Sequence, residues 1–125
     1  MDLKDIRYEK QGHVAIATLD RPERRNAQSS GMTEGLISIV KEVEDDDDVR
    51  CLVVTAKDPW FCPGADAVNM AARAQGGDDA TRAAPMKRVA YGRMVNDFVL
   101  TLQRCARPTI AAVNGMAAGG GLSIA

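Results

Sequence analysis

Two glycine-containing loops hold the residues of this chain that could do chemistry. An apolar run at positions 109–113 ends in the turn pair Asn114-Gly115 and is followed by three glycines at positions 119–121. A strand that ends in a turn and restarts as a glycine-opened helix exposes backbone N–H groups, which can hold developing negative charge. Positions 61–66, with the sequence FCPGAD, form a second loop after another apolar run. Each loop could therefore supply one N–H donor to a shared site.

The usual candidates for base, nucleophile and metal ligand are weaker. His13 is the only histidine, and it lies in a predicted hairpin turn, where a surface position is expected. The three cysteines are odd in number and lack CxxC spacing, so reduced thiols are expected in place of a disulfide framework or a zinc site. Cys62 has no nearby base and is interpreted as a small buried side chain. The acidic run 44–48 lacks the glycine turn and ligand spacing of a calcium loop, so we expect a solvated helix end and no metal.

The first part of the chain predicts a hairpin followed by an irregular loop. Residues 6–10 alternate between apolar and polar types, Gln11-Gly12 offers a turn, and the run 14–19 is apolar and rich in strand formers. Pro22 then ends regular structure, because it lacks a backbone donor and restricts the residue before it. A charged loop is expected after the second strand.

The remaining elements alternate between helix and strand. Apolar side chains at helical spacing from about Met32 predict a helix that has Ser29 or Ser30 as its N-cap and ends in the acidic run. The run 51–55 predicts a strand buried on both faces, reached by a right-handed parallel crossover. The other predicted segments are a short helix at 66–74, a loop at 75–79, a long helix at 81–104 and a buried strand at 109–113. The long helix is expected to pack into the core through a stripe at helical spacing, namely Met94, Phe98, Leu102 and Cys105.

Composition limits the classes of protein that fit. A length of 125 residues suits one modest domain, and a hydrophobic content of 46% is normal for a globular protein. The net charge of −1 argues against a nucleic-acid partner. No apolar run is long enough to span a bilayer, and charged residues follow Met1 where an apolar signal segment would stand. We therefore expect no membrane insertion and a cytoplasmic location.

Three motifs occur in a fixed order along the chain. They are LDRPERRNA at 19–27, FCPGAD at 61–66, and RPTIAAVNG at 107–115 with the glycines at 119–121. This succession resembles the enoyl-CoA hydratase/isomerase, or crotonase, family. The resemblance covers essentially the whole chain and corresponds to the N-terminal half of a crotonase domain. It implies an α/β fold of repeated β-β-α turns, in which residues 1–125 form the N-terminal part of one acyl-CoA-binding domain and the C-terminal remainder is absent.

The resemblance also implies where a substrate would bind. The thioester carbonyl of a bent acyl-CoA would lie between two peptide N–H groups, which by position belong to Ala65 and Gly120. Backbone amides can polarise a thioester toward an enolate without an ionisable side chain. Gly64 and Gly119 would let the backbone approach the ligand closely. No separate cofactor is implied, because CoA is part of the substrate, and a homo-oligomer, trimer or hexamer, is expected of the complete protein.

Contacts to the CoA portion are implied near the first donor. The segment Ala65, Asp66, Ala67 and Val68 corresponds to the one that meets the nucleotide end of CoA, mostly through main-chain groups. Arg25 matches the family's basic position before Asn-Ala and could bind a CoA phosphate. A guanidinium suits that role because it is always charged and can bind two phosphate oxygens at once.

Ser123 departs from the hydratase pattern. It stands two residues beyond the glycine triplet, where hydratases place the first of two glutamates, and a hydroxyl near pH 7 cannot act as a carboxylate base without activation. It also lacks the flanking glycine of a nucleophile elbow. The acid/base position is thus filled by a serine, and hydratase, isomerase and other enolate chemistry stay open.

Three functions therefore remain. The first is an acyl-CoA enzyme of hydratase/isomerase type, working in fatty-acid or related acyl-CoA metabolism. The second is a noncatalytic acyl-CoA-binding protein that has lost its acid/base pair. The third is a structural fragment, since an interrupted β-β-α stack leaves apolar faces uncovered. We expect the first for the complete protein.

Overall fold

A four-stranded mixed sheet forms the centre of the computed structural model, which describes residues 3–68 and 85–125. The strands, in their spatial order, are β1 (Ile6–Gln11), β2 (Val14–Leu19), β3 (Cys51–Ala56) and β4 (Thr109–Ala111). β1 and β2 are antiparallel, whereas β2, β3 and β4 run parallel to one another. Gly12, with a φ of +58°, lies in the turn between β1 and β2. The predicted hairpin is confirmed.

One amphipathic helix, α1 (Ser30–Asp45), packs against this sheet. Ser29 is its N-cap, because the Ser29 side-chain oxygen accepts a 3.0 Å hydrogen bond from the Met32 backbone N–H. The apolar stripe expected for the helix is buried, namely Leu36, Ile39, Val40 and Val43. It shares a core with side chains of β2 and β3, namely Ala15, Ala17, Leu19, Leu52 and Val54. The predicted helix and its buried face are confirmed.

Two further helices follow in the described part of the chain. α2 (Pro85–Arg104) packs against α1 and buries Phe98 and Leu102, two members of the stripe expected for this helix. α3 (Gly120–Ile124) begins inside the glycine triplet. The predicted start of the long helix at 81–84 lies outside the described residues.

The segment after the first glycine-containing loop is described only in part. Ala67 and Val68 are helical, as expected for the start of the predicted helix at 66–74. Residues 69–74 of that helix and the predicted loop at 75–79 lie outside the described residues.

Two strands, β3 and β4, are less buried than the sequence predicts. β3 alternates, with Leu52, Val54 and Ala56 buried and the intervening side chains half-buried, because α1 packs against only one face of the sheet. β4 ends at Ala111, two residues earlier than predicted, and the Ile110 side chain is 52% exposed. β4 is the last strand of the described sheet, so only its β3 side is paired.

The acidic run at the end of α1 is a solvated helix end, as the sequence predicts, and two of its carboxylates also contact neighbouring elements. Asp46 accepts a 2.6 Å hydrogen bond from Nζ of Lys10 on β1. Glu44 accepts a 2.8 Å hydrogen bond from the backbone N–H of Ala106, just beyond α2. These carboxylates therefore join α1 to the neighbouring elements.

The remaining observations concern the histidine, possible metal ligands and possible membrane-spanning helices. His13 is an exposed turn residue, and its Nδ1 lies 2.8 Å from the Asp48 carbonyl oxygen. Within residues 3–68 and 85–125, no three His, Cys, Asp or Glu side chains are grouped so that they could hold a metal ion. None of the helices in these ranges has both the length and the apolar character needed to cross a membrane.

Candidate active site

The two glycine-containing loops lie against each other. The Cys62 N–H donates a 3.0 Å hydrogen bond to the Met116 carbonyl, and the Ala118 N–H donates one of 3.0 Å to the Cys62 carbonyl. Cys62 and Ala117 thereby form a parallel β-bridge outside the main sheet. The Cys62 side chain is buried, and burial raises the pKa of its thiol. This environment suits the predicted packing role and disfavours a thiolate nucleophile.

Glycine is required where these loops meet. Gly64 has a φ of +92°, and a β-carbon there would lie 2.9 Å from the Gly120 nitrogen. Gly119 combines a φ of +52° with a ψ of −127°, which side-chain-bearing residues avoid. A β-carbon on Gly121 would overlap the Cys62 carbonyl oxygen. The glycines thus serve the contact between the loops, a role beyond the ligand approach that the family resemblance implies for Gly64 and Gly119.

Two backbone N–H groups at this contact have no acceptor within the described part of the chain. They belong to Ala65, which is exposed, and to Gly120, which is half-buried. Ala65 forms a parallel bridge with Gln28, in which the Gln28 N–H donates a 2.8 Å hydrogen bond to the Gly64 carbonyl. The bridge is made through the Gly64 carbonyl and not through the Ala65 N–H. Both N–H groups are available to an external hydrogen-bond acceptor.

Asp66 supports the first loop from inside. Its Oδ2 lies 3.0 Å from Nη1 of Arg21, and its Oδ1 accepts a 3.1 Å hydrogen bond from the Val68 N–H. Nη1 of Arg21 also donates a 3.1 Å hydrogen bond to the Ala27 carbonyl. The Asp66 carboxylate is therefore occupied by contacts within the protein.

Asn26 joins the charged loop after β2 to the segment before the first glycine-containing loop. It is fully buried and has a φ of +59°, a left-handed conformation that asparagine tolerates better than most residues. Its Nδ2 donates hydrogen bonds of 2.8 Å to the Lys57 carbonyl and 2.7 Å to the Trp60 carbonyl, and its Oδ1 accepts one of 2.9 Å from the Arg21 N–H. Asn26 belongs to the LDRPERRNA motif, but nothing in the motif predicts these contacts with residues 57 and 60.

A surface cleft of about 500 Å³ opens beside the first donor. Five of the six residues expected to bind acyl-CoA line it, namely Arg25, Ala65, Asp66, Ala67 and Val68, and the sixth, Gly120, does not. Glu23, Arg24, Pro63 and Met116 also contribute to its walls. Ser123 also lies outside the cleft. The second donor, Gly120, is next to the cleft, because Gly64 contacts it and directly precedes Ala65 in the cleft wall.

Arg25 is held above an aromatic ring at the edge of the cleft. Its guanidinium carbon lies 5.2 Å from the centre of the Trp60 ring, a distance typical of a cation–π contact. Within the described residues, Arg25 makes no ion pair with a carboxylate. The positive charge is therefore oriented by Trp60 and not neutralised by a described neighbour.

Ser123 is an exposed residue on α3. Its Oγ lies 3.5 Å from the Gly119 carbonyl, the residue four positions earlier. This is a weak contact with its own helix, and it activates the hydroxyl in no way. Ser123 is thus close along the chain to the Gly120 donor, but no residue in the described ranges 3–68 and 85–125 is placed to make it a base.

Comparison with known protein families identifies the family of this chain. Residues 9–125 match the family model for enoyl-CoA hydratase/isomerase. The chain belongs to this family. Three motifs in order had indicated the family from the sequence, and that prediction is confirmed.

Relatives in the enoyl-CoA hydratase/isomerase family include both kinds of enzyme. The chain is 35% identical over 120 residues to enoyl-CoA hydratase EchA19 of Mycobacterium tuberculosis, which covers 96% of this chain and 42% of the relative. It is 38% identical over 112 residues to 1,2-epoxyphenylacetyl-CoA isomerase of Escherichia coli, covering 90% of this chain and 40% of the relative. The chain thus spans about two fifths of the length of these curated relatives.

Solved structures of the family share the fold. The crystal structure of an enoyl-CoA hydratase/isomerase from Xanthobacter autotrophicus is 31% identical and superimposes with a TM-score of 0.79, covering 98% of this chain and 43% of that one. An enoyl-CoA hydratase from Polaromonas superimposes with a TM-score of 0.83 at 28% identity, covering 95% of this chain and 44% of that one. The crotonase fold expected from the motifs is confirmed.

Proposed function

We propose that the complete protein acts on acyl-CoA thioesters and binds the thioester oxygen with the N–H groups of Ala65 and Gly120. The observation that carries this proposal is the pair of unused donors on two touching loops. A β-carbon at Gly64, the residue before Ala65, would lie 2.9 Å from the Gly120 nitrogen. Membership of a family named for enoyl-CoA hydratases and isomerases supports the same substrate class.

The proposed chemistry is stabilisation of an enolate. When a base removes a proton from the carbon next to a thioester carbonyl, the electron pair moves onto the carbonyl oxygen and leaves negative charge there. N–H donors fixed at that oxygen stabilise the charged state more than the neutral substrate, because their hydrogen bonds strengthen as the charge develops. Each donor would contribute about 3 kcal/mol in a site that excludes water. Backbone donors need no metal or separate cofactor for this step.

The cleft beside Ala65 is proposed to hold the CoA portion. Its wall combines main-chain groups of Ala65, Ala67 and Val68 with the guanidinium of Arg25. A phosphate would pair with this guanidinium, whose charge is not matched by an ion pair with any described carboxylate. The Asp66 carboxylate is already bound to Arg21 and would not repel the phosphate as a free charge would.

Ser123 narrows what these residues can do. A serine hydroxyl whose only described partner is a backbone carbonyl cannot supply the carboxylate base of a two-glutamate hydration. We therefore assign carbonyl polarisation to this part of the protein and assign proton transfer to none of its described residues. The two donors fit isomerisation and other enolate reactions, whereas hydration by a pair of glutamates would lack the first glutamate at position 123.

Turnover of unsaturated acyl-CoA by the full-length protein tests the proposal. Hydration or isomerisation of an enoyl-CoA is expected, and replacing Gly120 with valine should reduce kcat/KM about 100-fold while CoA binding is retained. Gly92→Val on α2 is the control, since a β-carbon at Gly92 meets no atom within 4 Å. Equal loss of turnover and CoA binding in Gly120→Val would remove the oxyanion assignment. Saturable acyl-CoA binding with no turnover would support the noncatalytic alternative, which the enzyme names of the relatives do not favour.

Assembly and location are further parts of the proposal. A homo-oligomer, trimer or hexamer, is proposed by family resemblance and is tested by the mass of the full-length protein in solution. A cytoplasmic location is supported by the three cysteines, which stand as free thiols, as is usual in a reducing compartment.

A further inference from the structure

Gln28 is a buried polar residue that touches both donor loops. Its side chain and backbone together are only 6% exposed. The Gln28 backbone N–H donates a 2.8 Å hydrogen bond to the carbonyl of Gly64, which directly precedes the Ala65 donor. Its side-chain Oε1 faces the second donor, because a β-carbon on Gly120 would lie 2.8 Å from that oxygen.

The Gln28 side chain, and not the backbone conformation of Gly120, prevents a larger residue at position 120. Among the described glycines, positive φ occurs at Gly12, Gly64 and Gly119, so Gly120 has a conformation open to other residues. Apart from the Gln28 side chain, the nearest described atom to a Gly120 β-carbon is the α-carbon of Gly64, at 3.9 Å. Within the described residues, the carboxamide of Gln28 alone prevents a methyl group at the second donor.

The Gln28 carboxamide is fixed to the start of α1. Its Nε2 lies 3.4 Å from Oγ1 of Thr33, and Thr33 Oγ1 in turn donates a 3.0 Å hydrogen bond to the Ser29 carbonyl. Thr33 is itself buried. Gln28 therefore connects the two backbone donors to α1, a helix packed into the core.

We propose that Gln28 is a positioning residue that sets the separation between the N–H groups of Ala65 and Gly120. This inference rests on the proposed oxyanion function of those two groups. Backbone bonding at Gly64 places the first donor, and contact of the carboxamide with Gly120 places the second. Stabilisation of an oxyanion depends steeply on donor placement, so a change at Gln28 acts on the chemical step and leaves binding of the CoA portion unchanged.

The experiment compares Gln28→Ala and Gln28→Met with the wild type in the full-length protein. Both variants retain the backbone hydrogen bond to Gly64, and methionine also retains the length of the side chain. A fall in kcat of about tenfold is expected, with KM and the Kd for CoA unchanged. Gln103→Ala is the matched control, because Gln103 is an exposed glutamine on α2 and should leave kcat unchanged.

A double variant separates positioning from general loosening of the fold. In Gly120→Ala the new methyl group pushes against Gln28 Oε1, and kcat should fall. In Gln28→Ala combined with Gly120→Ala the methyl group has room, so kcat should rise above that of Gly120→Ala alone. A merely structural defect at Gln28 would lower kcat further in the double variant, and the melting temperatures of all variants show whether either change has loosened the fold.

The outcomes distinguish this inference from the proposed function. Unchanged kcat in both Gln28 variants, parallel loss of kcat and CoA affinity, or no recovery in the double variant overturns the positioning role while wild-type turnover still supports the function. Absence of acyl-CoA turnover by the wild type overturns the proposed function and the inference with it.

Discussion

Arg21 and Asp66 form a 3.0 Å ion pair that connects the loop after β2 with the loop that carries the first donor. The Arg21 side chain is 14% exposed and the Asp66 side chain 5%, so the pair is largely shielded from solvent. Arg21 also binds the Ala27 carbonyl, and Asp66 also binds the Val68 N–H. The position of Ala65 thus depends on a residue 44 positions earlier in the chain.

Replacing Asp66 with asparagine should destabilise the protein by about 3 kcal/mol, because Arg21 would lose the nearest of its carboxylates and keep, among the described residues, only those of Asp5 and Glu23, at 3.8 and 3.9 Å from its Nε. Urea unfolding of the full-length protein measures this change. Glu23→Gln is the control, since the Glu23 carboxylate is 67% exposed and lies 3.9 Å from Arg21, where an ion pair contributes less than about 1 kcal/mol. Equal effects of the two substitutions would show that the buried pair has no special importance.

Replacing Gly121 with alanine should destabilise the protein by about 2–3 kcal/mol, because the new β-carbon overlaps the Cys62 carbonyl and forces the two loops apart. Gly92→Ala makes the same chemical change in open space on α2 and should stabilise the helix by about 0.5–1 kcal/mol. Thermal unfolding of both variants is the measurement. A neutral Gly121→Ala would contradict the close contact between the loops.

Replacing Arg25 with asparagine should weaken recognition of the CoA phosphates. Asparagine is chosen because Arg25 has a φ of +55°, and asparagine accepts that left-handed conformation. KM for an acyl-CoA should rise about tenfold with little change in kcat, since loss of a charge-assisted contact costs roughly 1.5–3 kcal/mol before solvent screening.

A substrate without phosphates provides the internal control for Arg25. KM for the corresponding acyl-pantetheine should be the same in the wild type and in Arg25→Asn. Trp60→Phe, which keeps an aromatic face under the guanidinium, should behave as the wild type, whereas Trp60→Leu should move toward the Arg25 variant. Equal losses with both substrates would place Arg25 away from the phosphates.

The Lys10–Asp46 pair should make a small pH-dependent contribution to stability. The hydrogen bond from Lys10 lowers the pKa of Asp46 below 3.8, and the same bond raises the pKa of Lys10 above 10.5. The contribution is present at neutral pH. It is lost as the pH falls below 3.8 through the lowered Asp46 value, and as it rises above 10.5 through the raised Lys10 value.

The variant Lys10→Gln tests that window. Its unfolding free energy should lie slightly below that of the wild type at pH 7 and approach it at both extremes, with a smaller gap in high salt. Lys41→Gln, an exposed lysine on α1, is the control and should show no such convergence. A gap that stays constant across pH would rule out a contribution from this pair.

Local sequence patterns predicted the features that depend on residues close together in the chain, such as turns, helix starts and the buried faces of helices. Gly12 marked the hairpin turn, Ser29 the start of α1, and the spacing of Phe98 and Leu102 the buried face of α2. The same patterns overestimated the burial of Ile110, because a run of strand formers reports what the side chains prefer and not how many layers cover the strand.

The sequence by itself determined the family, the order of its motifs and the two residues that carry the proposed donors. Only the tertiary structure decided three contacts. Arg21 pairs with Asp66, Asn26 hydrogen-bonds the segment before the first glycine-containing loop, and Gln28 lies against Gly120. The physical reason is that motifs are set by local backbone conformation, whereas these contacts join residues far apart in the chain. Hydrogen bonds and ion pairs of that kind depend on where the sheet and α1 place each loop, which no spacing along the chain encodes.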